Sequence, residues 1–236
     1  MQRRQFTTGL VLVSAVRVSV GVSVSALAAG SSWAAGLSEG DAGLGIRSAM
    51  ERGASAAIGT LGRSDGFLGN PKVRIPLPGV LADAAKLLKA TGQQHKVDEL
   101  VTAMNRAAEA AMPQARSLLV STAKAISVSD AITIVRGGDQ SVTEYFARKT
   151  RAPLTEQFLP IVSRETEKLA LVEKFNAVAG PAAKFGLLKA DESNVQRYVT
   201  AKALDGLYLM IGEEERKIRA DPIGTGSAIL RKVFGG

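Results

Sequence analysis

The sequence predicts an all-α protein: a single-domain multi-helix bundle carrying one long extended loop near residues 64–78. Three observations carry this. The chain beyond its first 35 residues is rich in Ala, Leu, Lys and Glu, which lose little on entering a helix. No run of alternating β-branched residues offers a strand. Apolar positions recur three and four apart, as at Val97, Leu100/Val101, Met104, Ala107/Ala108 and Ala111, laying one apolar stripe along a helix.

Residues 1–35 read as a cleaved export signal of the twin-arginine type, with 36–236 as the domain. Arg3, Arg4 and Phe6 supply the cationic start, and Leu10 to Ala29 is a weakly apolar middle. Small residues in Ala26-Leu27-Ala28 and Ser32-Trp33-Ala34 fit a signal peptidase, so cleavage is expected after about Ala28 or Ala34. A spanning helix needs about 20 nearly uninterrupted apolar residues. Arg17, Ser19, Ser23 and Ser25 interrupt this segment, so removal is expected and the mature form should keep no transmembrane anchor. Gln2 and Thr7 depart from the usual surroundings of the arginine pair, which keeps ordinary export of an unfolded chain as the alternative. Either route predicts a periplasmic protein.

Helices are then expected at Ser38 to Leu61, Gly79 to Ala90, from Val97 to Ala111, Pro113 to Ile126, Ser129 to Val135, Ser141 to Thr150, Pro153 to Ala179 and Glu192 to Ala220. Pro113 can open a helix without losing a needed bond. Ser129 is the expected N-cap of its helix and Gly137-Gly138 its stop, and Gly180-Pro181 should interrupt the helix before it. On the helix from Val97, the face opposite the apolar stripe carries Asp98, Thr102, Asn105, Arg106 and Glu109. A last segment, Ser227 to Phe234, gathers Ile229, Leu230, Val233 and Phe234 on one side, and docking on its own domain is expected over lying on a membrane.

Between the first two helices, Gly66, Gly69, Asn70-Pro71, Pro76 and Pro78 forbid a helix. Val73, Ile75 and Leu77 alternate with Lys72, Arg74 and Pro76 as an extended chain does. A connection of this length is either a strap packed over the core or part of a site, in which case Lys72 and Arg74 contact an anion at the rim of a groove.

Composition excludes much chemistry. With no cysteine there is no disulfide, thiolate metal site, thiol nucleophile, cysteine-ligated cluster or lipid-modified N-terminal cysteine. The one histidine, His95, follows Gln93-Gln94 at the polar start of a helix, where a solvated side chain is expected, and no G-x-S-x-G elbow is present. No catalytic residue, cofactor or metal ligand is therefore assigned. Removing Arg3, Arg4 and Arg17 lowers the net charge from +8 to +5, and the basic residues form short clusters among few aromatics (5%). That pattern does not point to nucleic acid.

The strings DGFLGNPKVRIPLP, VDELVTAMNRAAEAA, KALDGLYLMIGEEERKIRADP and ILRKVFGG resemble the bacterial family called domain of unknown function 4197, from about Leu37 to Gly236. The resemblance implies an exported, mainly helical, single-domain protein. It brings no activity, cofactor or catalytic residue, but it marks Asn105, Arg106, Glu109, Asp205 and the stretch from Glu213 to Asp221 as family motifs.

Those polar positions, with Lys72 and Arg74, are the candidate ligand-binding residues. Asp205 stands in a helix that is apolar over most of its circumference, so it is expected to be buried and paired, with Lys202 or Arg106. Arg106 and Glu109, three apart, and Asn105 and Glu109, four apart, share a helix face and are either a site or a surface ladder. Glu213, Glu214 and Glu215 point in different directions beside Arg216 and Lys217, which predicts a solvated face rather than a metal site. The leading expectation is a non-catalytic periplasmic protein that binds a small apolar or amphiphilic ligand between helices, or an envelope protein partner. One alternative is an enzyme built on Asp205, Arg106 and Glu109, which requires those groups to converge in an open cleft. The other is an oligomeric envelope scaffold.

Overall fold

The computed structural model describes residues 39–90, 92, 94–167 and 194–221. The expected export signal, the expected break at Gly180-Pro181 and the expected Ser227–Phe234 segment lie outside the described residues. Among the described residues the chain is helical with no strand. The elements in order are α1 (Glu39–Leu61), α2 (Gly79–Ala90), α3 (Gln94–Ala111), a 3-10 turn (Met112–Gln114), α4 (Ala115–Lys124), α5 (Val128–Arg136), α6 (Ser141–Thr166) and α7 (Val195–Ala220).

Helix α7 is the axis, packing against α6, α1 and α3. It buries Val195, Val199, Ala203, Leu204, Leu207 and Ile211. Burial of each large aliphatic contributes about 1.5–3 kcal/mol, so this stripe, rather than helix propensity, holds the central element. Facing it are the fully buried Met50 and Leu61 of α1, Met104 of α3 and Phe146, Leu154 and Phe158 of α6. The expected stripe of α3 is buried as read, at Val97, Leu100, Met104, Ala107, Ala108 and Ala111. His95 is exposed at the start of the same helix. No single helix among the described residues is long and apolar enough to cross a membrane.

Three helix boundaries differ from the sequence reading, each for a local reason. Pro153 does not separate two helices, because α6 runs unbroken through both Pro153 and Pro160. A proline costs one backbone bond and some strain, while Tyr145, Phe146, Leu154, Phe158 and Val162 are buried on either side of it, and their packing outweighs that loss. Helix α5 is capped by Ser127 rather than Ser129: the Ser127 hydroxyl accepts from Asp130 N at 3.1 Å. Pro113 lies in the 3-10 turn that links α3 to α4 instead of opening α4. Helix α7 starts at Val195 because the Asn194 side-chain Oδ1 accepts from Gln196 N at 2.8 Å and Arg197 N at 3.2 Å.

Candidate functional site

After α1 the chain reverses through Asp65, whose φ of 63° is left-handed, and Gly66, where a Cβ would strike the Leu61 and Thr60 carbonyl oxygens. Contrary to the fully extended loop expected, it continues through hydrogen-bonded turns as far as residue 73, Asn70 O accepting from Val73 N at 3.2 Å and Arg74 N at 2.9 Å, and only 74–78 cross α3 and α7 without turns. The alternation in the sequence sorts its side chains: Phe67, Val73 and Ile75 are buried, whereas Lys72 and Arg74 point to solvent.

A non-helical segment packed on helices has no neighbouring strand to satisfy the backbone groups its turns leave over. Two side chains of α3 take that role. Glu109 Oε1 accepts from Phe67 N at 3.0 Å and Leu68 N at 3.1 Å. Its Oε2 accepts from Arg106 Nη1 at 2.7 Å. Asn105 Oδ1 accepts from Ile75 N at 2.8 Å, and Asn105 Nδ2 donates to Ile75 O at 3.0 Å. From α7, the Tyr198 hydroxyl donates to Pro76 O at 3.0 Å. Gly206 lets the strap close on α7, because a Cβ there would stand 2.8 Å from Phe67 Cε1 and 3.3 Å from Val73 Cβ. The segment 64–78 is thus a strap. Asn105 and Glu109, placed on the polar face by the sequence, are buried beneath it. Neither belongs to a surface ladder.

Asp205 also departs from expectation. Its side chain is 50% exposed, accepting from Arg151 Nη1 at 3.0 Å with Lys202 Nζ at 3.6 Å. The neighbours Leu204, Gly206 and Leu207 are buried, but Asp205 stands on the exposed side of α7, beside Arg151 of α6. Lys202 is a partner as expected; Arg106 is not, being bound to Glu109 and to Asp65 at 2.8 Å. The enzyme reading needs Asp205, Arg106 and Glu109 together, and they fall in two separate ion-paired groups.

The acidic triplet is likewise divided. Lys72 Nζ lies 2.7 Å from Glu213, whose carboxyl is held below its ordinary value by that hydrogen bond first. Glu214 pairs with Lys217 at 2.6 Å. Glu215, contrary to the solvated face expected, is buried at the start of α6, accepting from Val142 N and Thr143 N at 3.0 Å each and from the Thr143 hydroxyl at 2.8 Å. Arg219 donates to it from Nη2 at 2.9 Å and reaches Ser141 Oγ at 2.7 Å. Among the described residues no group of three or more His, Asp or Glu is placed to hold a metal ion. The i, i+4 spacing of Glu215 and Arg219 showed their pairing. Nothing in the sequence showed that a third helix begins on top of them.

Between the strap and α7 an open groove of about 370 Å³ brings Lys72 and Arg74 beside Lys202 and Asp205. Its apolar contribution is Pro76, Leu77 and Leu209, the last 42% exposed. The Tyr198 ring, 6.0 Å beneath the Lys202 ammonium, forms part of the wall. Arg74 has no ion-pair partner among the described residues. The groove therefore unites three of the candidates, Lys72, Arg74 and Asp205, and leaves Asn105, Arg106 and Glu109 to hold its wall in place. By contrast, the pocket enclosed between α1 and α7 by Met50, Ile211 and Ile218 holds about 10 Å³. That is room for one water, too little for the apolar ligand expected between helices.

These features define, among the described residues, a helical bundle with a strapped, cation-lined groove. The chain belongs to the family described as "Protein of unknown function (DUF4197)", which matches residues 36–235. No curated protein and no solved structure matches it.

Proposed function

We propose that this is a periplasmic, non-catalytic binding protein that receives an acidic segment of an envelope protein partner in the groove between the strap and α7. The observation that carries this is one surface in which an exposed Leu209 and the Pro76-Leu77 edge are bordered by Lys72, Arg74 and Lys202. An extended peptide with alternating acidic and apolar side chains complements that pattern in both charge and shape. Arg74, without an ion pair of its own, is the cation that gains most from such a partner. Export through the Arg3, Arg4 and Phe6 signal would deliver the folded domain to the compartment where envelope proteins expose such segments.

A photo-crosslinking residue at position 209, introduced in cells, tests the reading. The expected result is a discrete adduct with an envelope protein, lost when Arg74 and Lys202 are both changed to Glu. Equal crosslinking from the exposed control position Val128, or an adduct indifferent to the charge reversal, would dispose of it. Fractionation of the same cells tests the compartment.

A further inference from the structure

On the other side of the Arg151–Asp205 ion pair lies a second cleft, of about 340 Å³, between α6 and α7. Arg151, Arg197 and Thr200 supply its polar lining, and Leu159, Ala201 and Leu204 its apolar lining. Thr200 is the telling residue. Threonines inside helices usually discharge their hydroxyl onto the carbonyl four residues earlier. Here Thr133, Thr150, Thr155 and Thr166 all do so, at 2.9, 2.7, 2.8 and 2.7 Å. The Thr200 hydroxyl does not: the residue is 1% exposed and its Oγ1 has no hydrogen-bond partner. A buried hydroxyl left unpaired is destabilising, and a ligand acceptor at that point would relieve it.

The two arginines supply the charge. Arg151 is held in place by Asp205 on one edge and by the Tyr208 ring, 4.9 Å from its Cζ, leaving its remaining N–H groups for the cleft. Arg197 is exposed, with no ion pair among the described residues. Two guanidinium groups and a hydroxyl lining one cleft suit an oxyanion. Leucines on the remaining wall, in a cleft this small, suit a short chain behind that head.

We infer that the α6–α7 cleft is a binding site for a small amphiphile with an oxyanion head, carboxylate or phosphate, its head on Arg151, Arg197 and Thr200 and its tail on Leu159 and Leu204. The site is distinct from the strap groove and does not depend on the peptide-binding reading.

Calorimetric titration of the purified full chain with octanoate and with octyl phosphate tests this. Saturable one-site binding of either is expected, and which of the two binds more tightly identifies the head. Acetate, inorganic phosphate and octanol should each bind at least about ten-fold more weakly, since each lacks half of the recognition. Thr200→Val should lower affinity by about ten-fold or more, the usual effect of losing a hydrogen bond to a charged group, while the unliganded variant melts at the same temperature as the parent or higher. Arg197→Gln should weaken binding similarly, and Lys124→Glu, at the exposed end of α4, should leave it unchanged. Absence of saturable binding by both probes, equal binding of the headgroups alone, or unaltered affinity in both Thr200→Val and Arg197→Gln would overturn the inference.

Discussion

Asn105 pairs with the backbone of Ile75 as an adjacent β-strand would, taking its N–H at 2.8 Å and giving an N–H to its carbonyl at 3.0 Å. A strap of mixed apolar and proline residues can thereby lie on a helix without leaving buried backbone groups unpaired. Asn105→Leu keeps the approximate volume and removes both bonds. The expected cost is about 2–6 kcal/mol, since two buried backbone groups lose their partners at about 1–3 kcal/mol each. Urea unfolding measures it, and a loss no larger than that of a surface substitution would mean that the strap does not depend on this amide.

Glu109 makes a different kind of bond, because one of its oxygens serves the strap and the other serves Arg106. Glu109→Gln retains an oxygen for Phe67 N and Leu68 N and gives up the charge, whereas Glu109→Ala gives up both. The alanine variant should lose about 2–4 kcal/mol and the glutamine variant less than half of that, because Arg106 is largely solvated and exposed pairs contribute little. Equal losses in the two variants would show that the charge, and not the backbone contact, is what matters.

The Phe67 ring closes tightly over Gly206 of α7. Gly206→Ala introduces a methyl group 2.8 Å from that ring, and overpacking of this kind costs about 1–3 kcal/mol. Phe67→Leu removes the obstructing ring atoms at its own cost in lost packing. The double variant should therefore be more stable than the sum of the two single losses, and strict additivity in thermal melts would argue against the contact.

Glu215 ties α7 to the first turn of α6, and Arg219, which it holds, reaches Ile134 O of α5 at 3.2 Å. Glu215→Ala leaves Val142 N and Thr143 N without their acceptor and takes from Arg219, only 15% exposed, its carboxylate. Removing one partner of a buried pair costs about 3–5 kcal/mol, so this variant should be the least stable of the series. Amide hydrogen exchange should open first at residues 141–145, and protection there equal to the parent would refute the capping role.

The groove also gives the protein an acid-side signature. Lys72 holds the Glu213 carboxyl below its ordinary value of 4.5, chiefly by hydrogen bonding, against a smaller opposing effect of burial. A depressed carboxyl binds fewer protons folded than unfolded, so its stabilisation is present above the ordinary value and is lost as the pH falls through the folded one. Lys72→Met should therefore flatten the fall in urea midpoint from about pH 5 to pH 3. Acid limbs that run parallel in the two proteins would exclude the coupling.

The sequence by itself determined the helices, the strap and which chemistries are missing, because those rest on properties read within a few residues. Apolar spacing buried one face of α3, and the prolines and glycines of 64–78 barred a helix there. The absence of cysteine leaves the chain no thiol chemistry. The same local reading left Asn105 and Glu109 as either a site or a surface ladder, put Asp205 in the core, and exposed Glu215, and in each case a segment distant in the chain decided the outcome. The strap covers α3 and buries Asn105 and Glu109. Arg151 of α6 pairs with Asp205 on the exposed side of α7, and the start of α6 settles on Glu215. Tertiary packing alone decided these, because a polar side chain is buried or solvated according to which remote backbone it can satisfy, and hydrophobic periodicity holds no record of that partner.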